Sequence, residues 1–203
     1  MRVSAPSALH YVCMDWRHIG DLVSVGDELY DSMLNLVVWN KTNAGQGSFY
    51  RSQHELIGVF AVGGGTHRNN IELGRFGRNR SNVWTYPGVT SFGQGRMEAL
   101  QSHPTVKPTT LIADALLDCS ARGDAVLDQF AGSGSTILAA EKVGRKACGI
   151  EFEPRYVDVA IMRWQEATRR DATLDGDGRT FAEITAQGIE DRCSAPHAEG
   201  NHV

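Results

Sequence analysis

Cysteine is scarce in this chain of 203 residues, and the four present, Cys13, Cys119, Cys148 and Cys193, lie far apart. With no Cys-x-x-Cys pair and no histidine cluster beside them, neither a zinc site nor a disulfide framework is expected, and no metal is implied. Long hydrophobic runs are missing too: no apolar stretch approaches the roughly 20 residues that cross a bilayer. The opening Met1-Arg2-Val3-Ser4-Ala5-Pro6 is too short and too polar to read as a signal peptide. These absences lead to the expectation of a soluble, cytoplasmic protein. An excess of positive charge is lacking as well, since the net charge is −4. That excludes a protein whose whole surface grips nucleic acid.

What is present suffices for one α/β domain with a core and a small appended module, at 41% hydrophobic residues. The charge is unevenly spread. His67, Arg68, Arg75, Arg78, Arg80 and Arg96 face only Glu72 and Glu98 in their region, a local basic patch of the kind that binds phosphates. From Asp171 onward acidic residues dominate, so residues 171–203 are expected to form an acidic tail that stays off nucleic acid.

Apolar, β-prone runs at Leu9 to Met14, Leu34 to Trp39 and His54 to Val62 fit buried strands of a covered sheet, with a helix from about Asp15 to Tyr30. Residues 1–62 form this first block. From Gly63 to Ser102, about 40 residues rich in Gly, Asn and Arg lose hydrophobic periodicity, which is too long for an ordinary connection. Trp84, Tyr86 and Phe92 argue against simple disorder, and residues 63–102 read as a recognition module. Residues 103–170 then alternate: a helix from Pro108 to about Ala121, a strand at Ala125 to Leu127, a helix at Ser135 to Val143, a strand at Lys146 to Glu151 and a helix from Pro154 to about Thr168. Such alternation predicts a parallel, right-handed α/β unit.

Between that strand and helix lies Asp128-Gln129-Phe130-Ala131-Gly132-Ser133-Gly134-Ser135-Thr136. A Gly-x-Gly turn there lets a nucleotide-like ligand approach bare backbone and amide donors. The third glycine of the dinucleotide fingerprint is absent, because the chain continues Ser135-Thr136-Ile137, and a nicotinamide-dependent dehydrogenase is disfavoured. Glu151, at a strand end, is suited to accept both hydroxyls of a ribose. A nucleoside therefore fits without a pyrophosphate.

These motifs, together with His103-Pro104-Thr105-Val106-Lys107-Pro108 and Gly149-Ile150-Glu151, resemble the DNA amino-methyltransferases that use S-adenosyl-L-methionine to methylate adenine N6 or cytosine N4. Val38-Trp39-Asn40-Lys41, Ser52-Gln53-His54-Glu55 and Ser81 to Tyr86 are similar as well, and the likeness spans about residues 9 to 185. The resemblance implies a Rossmann-like class I methyltransferase fold in the circularly permuted beta-type order, with an inserted target-recognition module. It implies that Phe130 packs on the cofactor's adenine, that Ala131, Gly132, Ser133, Gly134 and Ser135 hold its methionine end, and that Asp128 meets the ammonium or a bridging water. Glu151 would bind the ribose, and His103, Thr105 and Lys107 would close the methionine side. Gln129 stands where the family usually has proline, which implies weaker preorganisation rather than loss of the pocket. Double-stranded DNA is the implied partner, contacted by Arg68, Arg75, Arg78, Arg80, Trp84 and Tyr86. Trp84 and Tyr86 are suited either to stack on a base or to anchor the module. His54 and Glu55 fit either the cofactor cleft or a polar strand start.

One part of the pattern is lacking. The family's Asp/Asn/Ser-Pro-Pro-aromatic tetrapeptide binds the exocyclic amine of a flipped base, yet no Pro-Pro occurs in this sequence. The family pattern places it upstream of the strand at Leu9 to Met14. The expectation is an N-terminally incomplete fold whose missing strand lies between the strands at Val126-Leu127 and Tyr11-Val12-Cys13, with an upstream polypeptide segment completing the sheet. The alternative is a non-catalytic cofactor- and DNA-binding remnant or accessory subunit.

Overall fold

The computed structural model describes residues 3–45, 47, 49–88 and 106–194. In chain order the elements are β1 (Leu9–Met14), α1 (Ile19–Leu29), β2 (Ser32–Asn40), β3 (His54–Ala61), β4 (Val83–Thr85), α2 (Thr109–Cys119), β5 (Ala125–Asp128), α3 (Ser135–Val143), β6 (Lys146–Gly149), α4 (Pro154–Thr168) and α5 (Phe181–Ser194). α1 starts later than its apolar pattern suggests. Asp15 Oδ1 accepts from the Arg17 and His18 amides at 2.8 and 3.2 Å, an Asx turn that competes with the helix.

The strands form two sheets among the described residues, one of order β1-β3-β2-β4 and one of β5-β6. β3 runs antiparallel to both β1 and β2, with Met14 opposite Leu56 and Asn40 opposite His54. The carboxyl ends of β1 and β2 therefore share an edge. β5 and β6 are parallel, as the alternation predicts. β4 pairs with β2 through Trp39 and Trp84, so the segment expected as a separate module adds a strand to the first sheet.

The core gathers Val37, Trp39, Ile57, Val59 and Trp84 beneath Leu111 and Ala115 of α2, with Tyr11 and Cys13 packed against it. On the other side Phe60 is fully buried against α1, and a Cβ at Gly26 or Gly58 would collide with its ring, so only glycine admits this approach. Not every strand is covered as expected. β1 is half-buried throughout, and Leu127 and Ile150 are exposed at the β5–β6 pair. The physical reason is the division of the sheet: β1 and β5 each have one strand neighbour. α2 ties the two parts together, because it roofs the first sheet and packs on α3.

Candidate cofactor site

The turn after β5 is braced by one carboxylate. Asp128 Oδ1 accepts from the Phe130 amide at 3.0 Å and Oδ2 from Thr136 Oγ1 at 2.5 Å, so it spans the turn from entry to exit. β6 supplies the second brace. The Ala131 amide donates to the Ile150 carbonyl at 3.0 Å, and the Gly132 amide to Glu151 Oε2 at 2.7 Å. Glu151 Oε1 accepts from the Glu153 amide at 2.9 Å. Gln129, in place of proline, is exposed beside this framework.

Arg163 of α4 is the residue that the sequence reading missed. Its Nη1 donates to the Ser133 carbonyl and, at 2.8 Å, to Ser133 Oγ. Burial holds its guanidinium below the ordinary arginine value. The signal was available: Tyr156, Val159, Ala160 and Arg163 share one helical face, and an arginine on an otherwise apolar stripe asks for buried acceptors.

Gly134 sits in the left-handed region at φ +77°, and a Cβ there would lie 2.7 Å from that of Ala160. Gly134→Ala is therefore expected to cost about 2 kcal/mol from strained backbone and crowding, read as a lowered thermal midpoint. α3 begins at the next residue without a side-chain cap, so its first-turn amides point toward whatever occupies the turn. Ala131, Ser133 and Ser135 are buried, whereas Phe130 is 88% and Phe152 98% exposed. Two bare rings flanking a braced turn suit an apolar, planar ligand.

Lys107 is half-buried just before α2, and the Cys13 thiol, pushed up by burial, lies within electrostatic reach of Lys107, Glu55 and Asp128. The ends of β1, β3 and β5 thus face one region. His103, Thr105 and Arg96 lie outside the described residues. Glu55 pairs with Lys41 at 2.5 Å.

The expected DNA contacts divide. Arg68 and Arg75 are exposed, the latter bonded to Glu72 at 2.9 Å. Arg78 and Arg80, expected to contact DNA, pair with carboxylates of α2: Arg78 lies 2.8 Å from Asp118 and 3.2 Å from Asp114, and Arg80 lies 2.9 Å from Asp118. Tyr86 donates to Asp114 at 2.5 Å, and Trp84 is buried in the core beneath the Arg80 guanidinium. Asp114 and Asp118 stand one turn apart on α2 and hold the start of the basic segment against it. Trp84 and Tyr86 therefore anchor the segment rather than present bases with a stacking face.

The N6/N4 methylase family model, described as DNA methylase, matches residues 1–162. The chain belongs to this DNA methylase family. It is 38% identical over 93 residues to the type II methyltransferase M.ScaI of Streptomyces caespitosus, covering 46% of this chain and 31% of that protein. It is 34% identical over 148 residues to M.HinfI of Haemophilus influenzae, covering 66% and 40%. The chain thus spans well under half the length of these relatives. Among solved structures, the M1.HpyAVI–SAM complex superposes with a TM-score of 0.66 at 21% identity, covering 80% of this chain and 76% of that one. The PvuII cytosine-N4-specific DNA methyltransferase gives 0.66 at 18%, covering 92% and 70%. The likeness establishes the mixed α/β fold of class I methyltransferases.

Among the described residues, no helix of this family member is long and apolar enough to cross a membrane.

Proposed function

We propose that this chain binds S-adenosyl-L-methionine at the β5–α3 turn and serves transfer of its methyl group to an exocyclic amine in double-stranded DNA, adenine N6 favoured over cytosine N4. The observation that carries this reading is the braced turn, with Glu151 at a strand end and bare aromatic rings at Phe130 and Phe152. The donor set fits the cofactor: rings for adenine, the Glu151 carboxylate for the ribose, and the uncapped α3 amides with Lys107 for the carboxylate. Asp128 offers its spare lone pairs to the ammonium. When bound, the cofactor supplies a sulfonium-activated methyl group. The chain's own residues orient it and keep its polar end at the turn. Arg68 and Arg75 meet DNA phosphates.

Phe130→Ala is expected to weaken cofactor binding about tenfold through lost stacking. Because the ring is already exposed, the thermal midpoint should stay unchanged, and calorimetric titration beside a melt checks both.

Transfer also needs two acceptors for the amine protons, the role of the tetrapeptide absent from this sequence. β1 and β5 each have one strand neighbour among the described residues, and the reading adds one more strand carrying these acceptors, supplied by an upstream polypeptide segment. Open edges of this kind favour self-association. The test is methyl transfer to duplex DNA by the chain alone and by the chain extended upstream. The reading expects cofactor binding in both cases and transfer only with the extension. Turnover by the chain alone contradicts the need for that strand, and an extended chain that binds both ligands without transfer favours the second reading, a non-catalytic accessory subunit. The missing Pro-Pro is what speaks for that second reading.

A further inference from the structure

Six aromatic side chains stand exposed among the described residues: Trp16, Phe49, Tyr50, Phe76, Phe130 and Phe152. Phe130 and Phe152 belong to the cofactor turn, while Trp16 and Phe76 each carry a neighbouring arginine over the ring. Phe49 and Tyr50 have no such explanation. They are 85% and 82% exposed and pack edge to face on each other, with centroids 4.4 Å apart. Leaving two adjacent rings in water forfeits the burial that aromatic side chains normally provide.

The loop that carries them has an ordered base. Arg51 donates from Nε to the Gly45 carbonyl at 3.0 Å and from Nη2 to the Ala44 carbonyl at 2.9 Å. The Gly45 amide reaches the Ser52 carbonyl, and the Lys41 amide the Gln53 carbonyl, each at 2.8 Å. The rings are thus held away from the core. Residues 41–53 contain Lys41 and Arg51 and no Asp or Glu, on a chain of net charge −4. Glu55 compensates Lys41, but Arg51 bonds only carbonyls among the described residues, which leaves its positive charge in place.

The pairing of Asn40 with His54 puts this loop at the carboxyl edge of β2, the edge that β1 shares. Cys13, near the end of β1, is within electrostatic reach of Asp128 at the mouth of the cofactor turn. A cationic loop tipped with two rings therefore stands on the side of the sheet where a target base would be presented.

We infer that Phe49-Tyr50-Arg51, between β2 and β3, is a second DNA contact, in which Phe49 and Tyr50 stack against bases unstacked beside the target and Arg51 faces a phosphate. This rests on the DNA-methylating reading above. Exposed rings suit the task because every base has a π face, so stacking holds an opened duplex without reading its sequence.

The test compares the wild-type chain, Phe49→Ala/Tyr50→Ala and Phe49→Tyr/Tyr50→Phe, each with S-adenosyl-L-methionine present. The probe is a fluorescein-labelled random-sequence duplex, with and without a central mismatch, read by anisotropy. The expected result is at least about tenfold weaker binding of the mismatched duplex by the alanine variant. Binding should be retained by the ring-preserving variant, with melting and cofactor affinity unchanged in both. Equal DNA affinity in the alanine variant and the wild type overturns the inference while leaving the methylase reading standing. A cofactor-loaded wild type that binds neither duplex overturns both. A wild type that sediments as a dimer, with the alanine variant monomeric and unimpaired on DNA, shows that the rings cover a second copy and also overturns the inference.

Discussion

Asp118→Ala should lower the stability of this protein by about 3 kcal/mol, the low end of what removal of one partner from a buried ion pair costs. Asp118 is 4% exposed and lies within 3 Å of two guanidiniums, those of Arg78 and Arg80. Burial pushes its carboxyl above the ordinary value, and the two arginines only partly offset that. Asp114 behaves differently: burial raises it, but hydrogen bonds from Tyr86 and Arg78 outweigh that and hold it below the ordinary value. With Asp118 gone, Arg78 and Arg80 share Asp114 alone, and Arg80 already has buried nitrogens without a hydrogen-bond acceptor. The loss also weakens the hold of α2 on the chain that follows β3, which then relies on Asn70, bonded to the Leu117 and Ser120 carbonyls at 2.8 and 2.9 Å. Chemical denaturation of the variant beside the wild type measures the effect. A change under about 1 kcal/mol, the scale of an exposed pair, would show that the network is a surface feature.

The second large effect is on cofactor affinity. Glu151→Ala is expected to weaken S-adenosyl-L-methionine binding about 100-fold, because hydrogen bonds to a charged group contribute about 1.5 to 3 kcal/mol each. The substitution removes the proposed ribose acceptor and also frees the Gly132 and Glu153 amides, which loosens the turn. Glu151→Gln separates the two effects, since it keeps one acceptor oxygen for the turn while losing the charge. An intermediate loss for glutamine, with titrations at equal folded fraction, supports a direct ligand role. Unchanged affinity in both variants places the ribose elsewhere.

The cofactor half of the fold was legible because its signals are local. The bounds of α3 and α4 match the sequence pattern, with Pro154 opening α4 and Gly144 closing α3 in the left-handed region. The Gly-x-Gly turn likewise follows a short strand, as its residues suggest. The roles of Arg78 and Arg80 were not legible, because their partners lie more than 30 residues away on α2 and a regional charge count cannot see them. The buried state of Trp84 follows from its parallel pairing with Trp39, a contact that no periodicity in a three-residue strand announces. α5 was readable but passed over as acidic tail. Thr180 and Glu183 form a reciprocal cap, with the Thr180 amide 2.7 Å from Glu183 Oε2 and the Glu183 amide 3.3 Å from Thr180 Oγ1.

The most direct measurement is calorimetric titration of S-adenosyl-L-methionine into the wild-type chain, with its folded state verified by a cooperative melt in the same buffer. Saturable binding at one site per chain, weakened about 100-fold in Glu151→Ala and about tenfold in Phe130→Ala, is the predicted result. A cooperatively folded chain that takes up no cofactor would contradict the account at its centre, since the braced turn would then hold its shape for some other purpose.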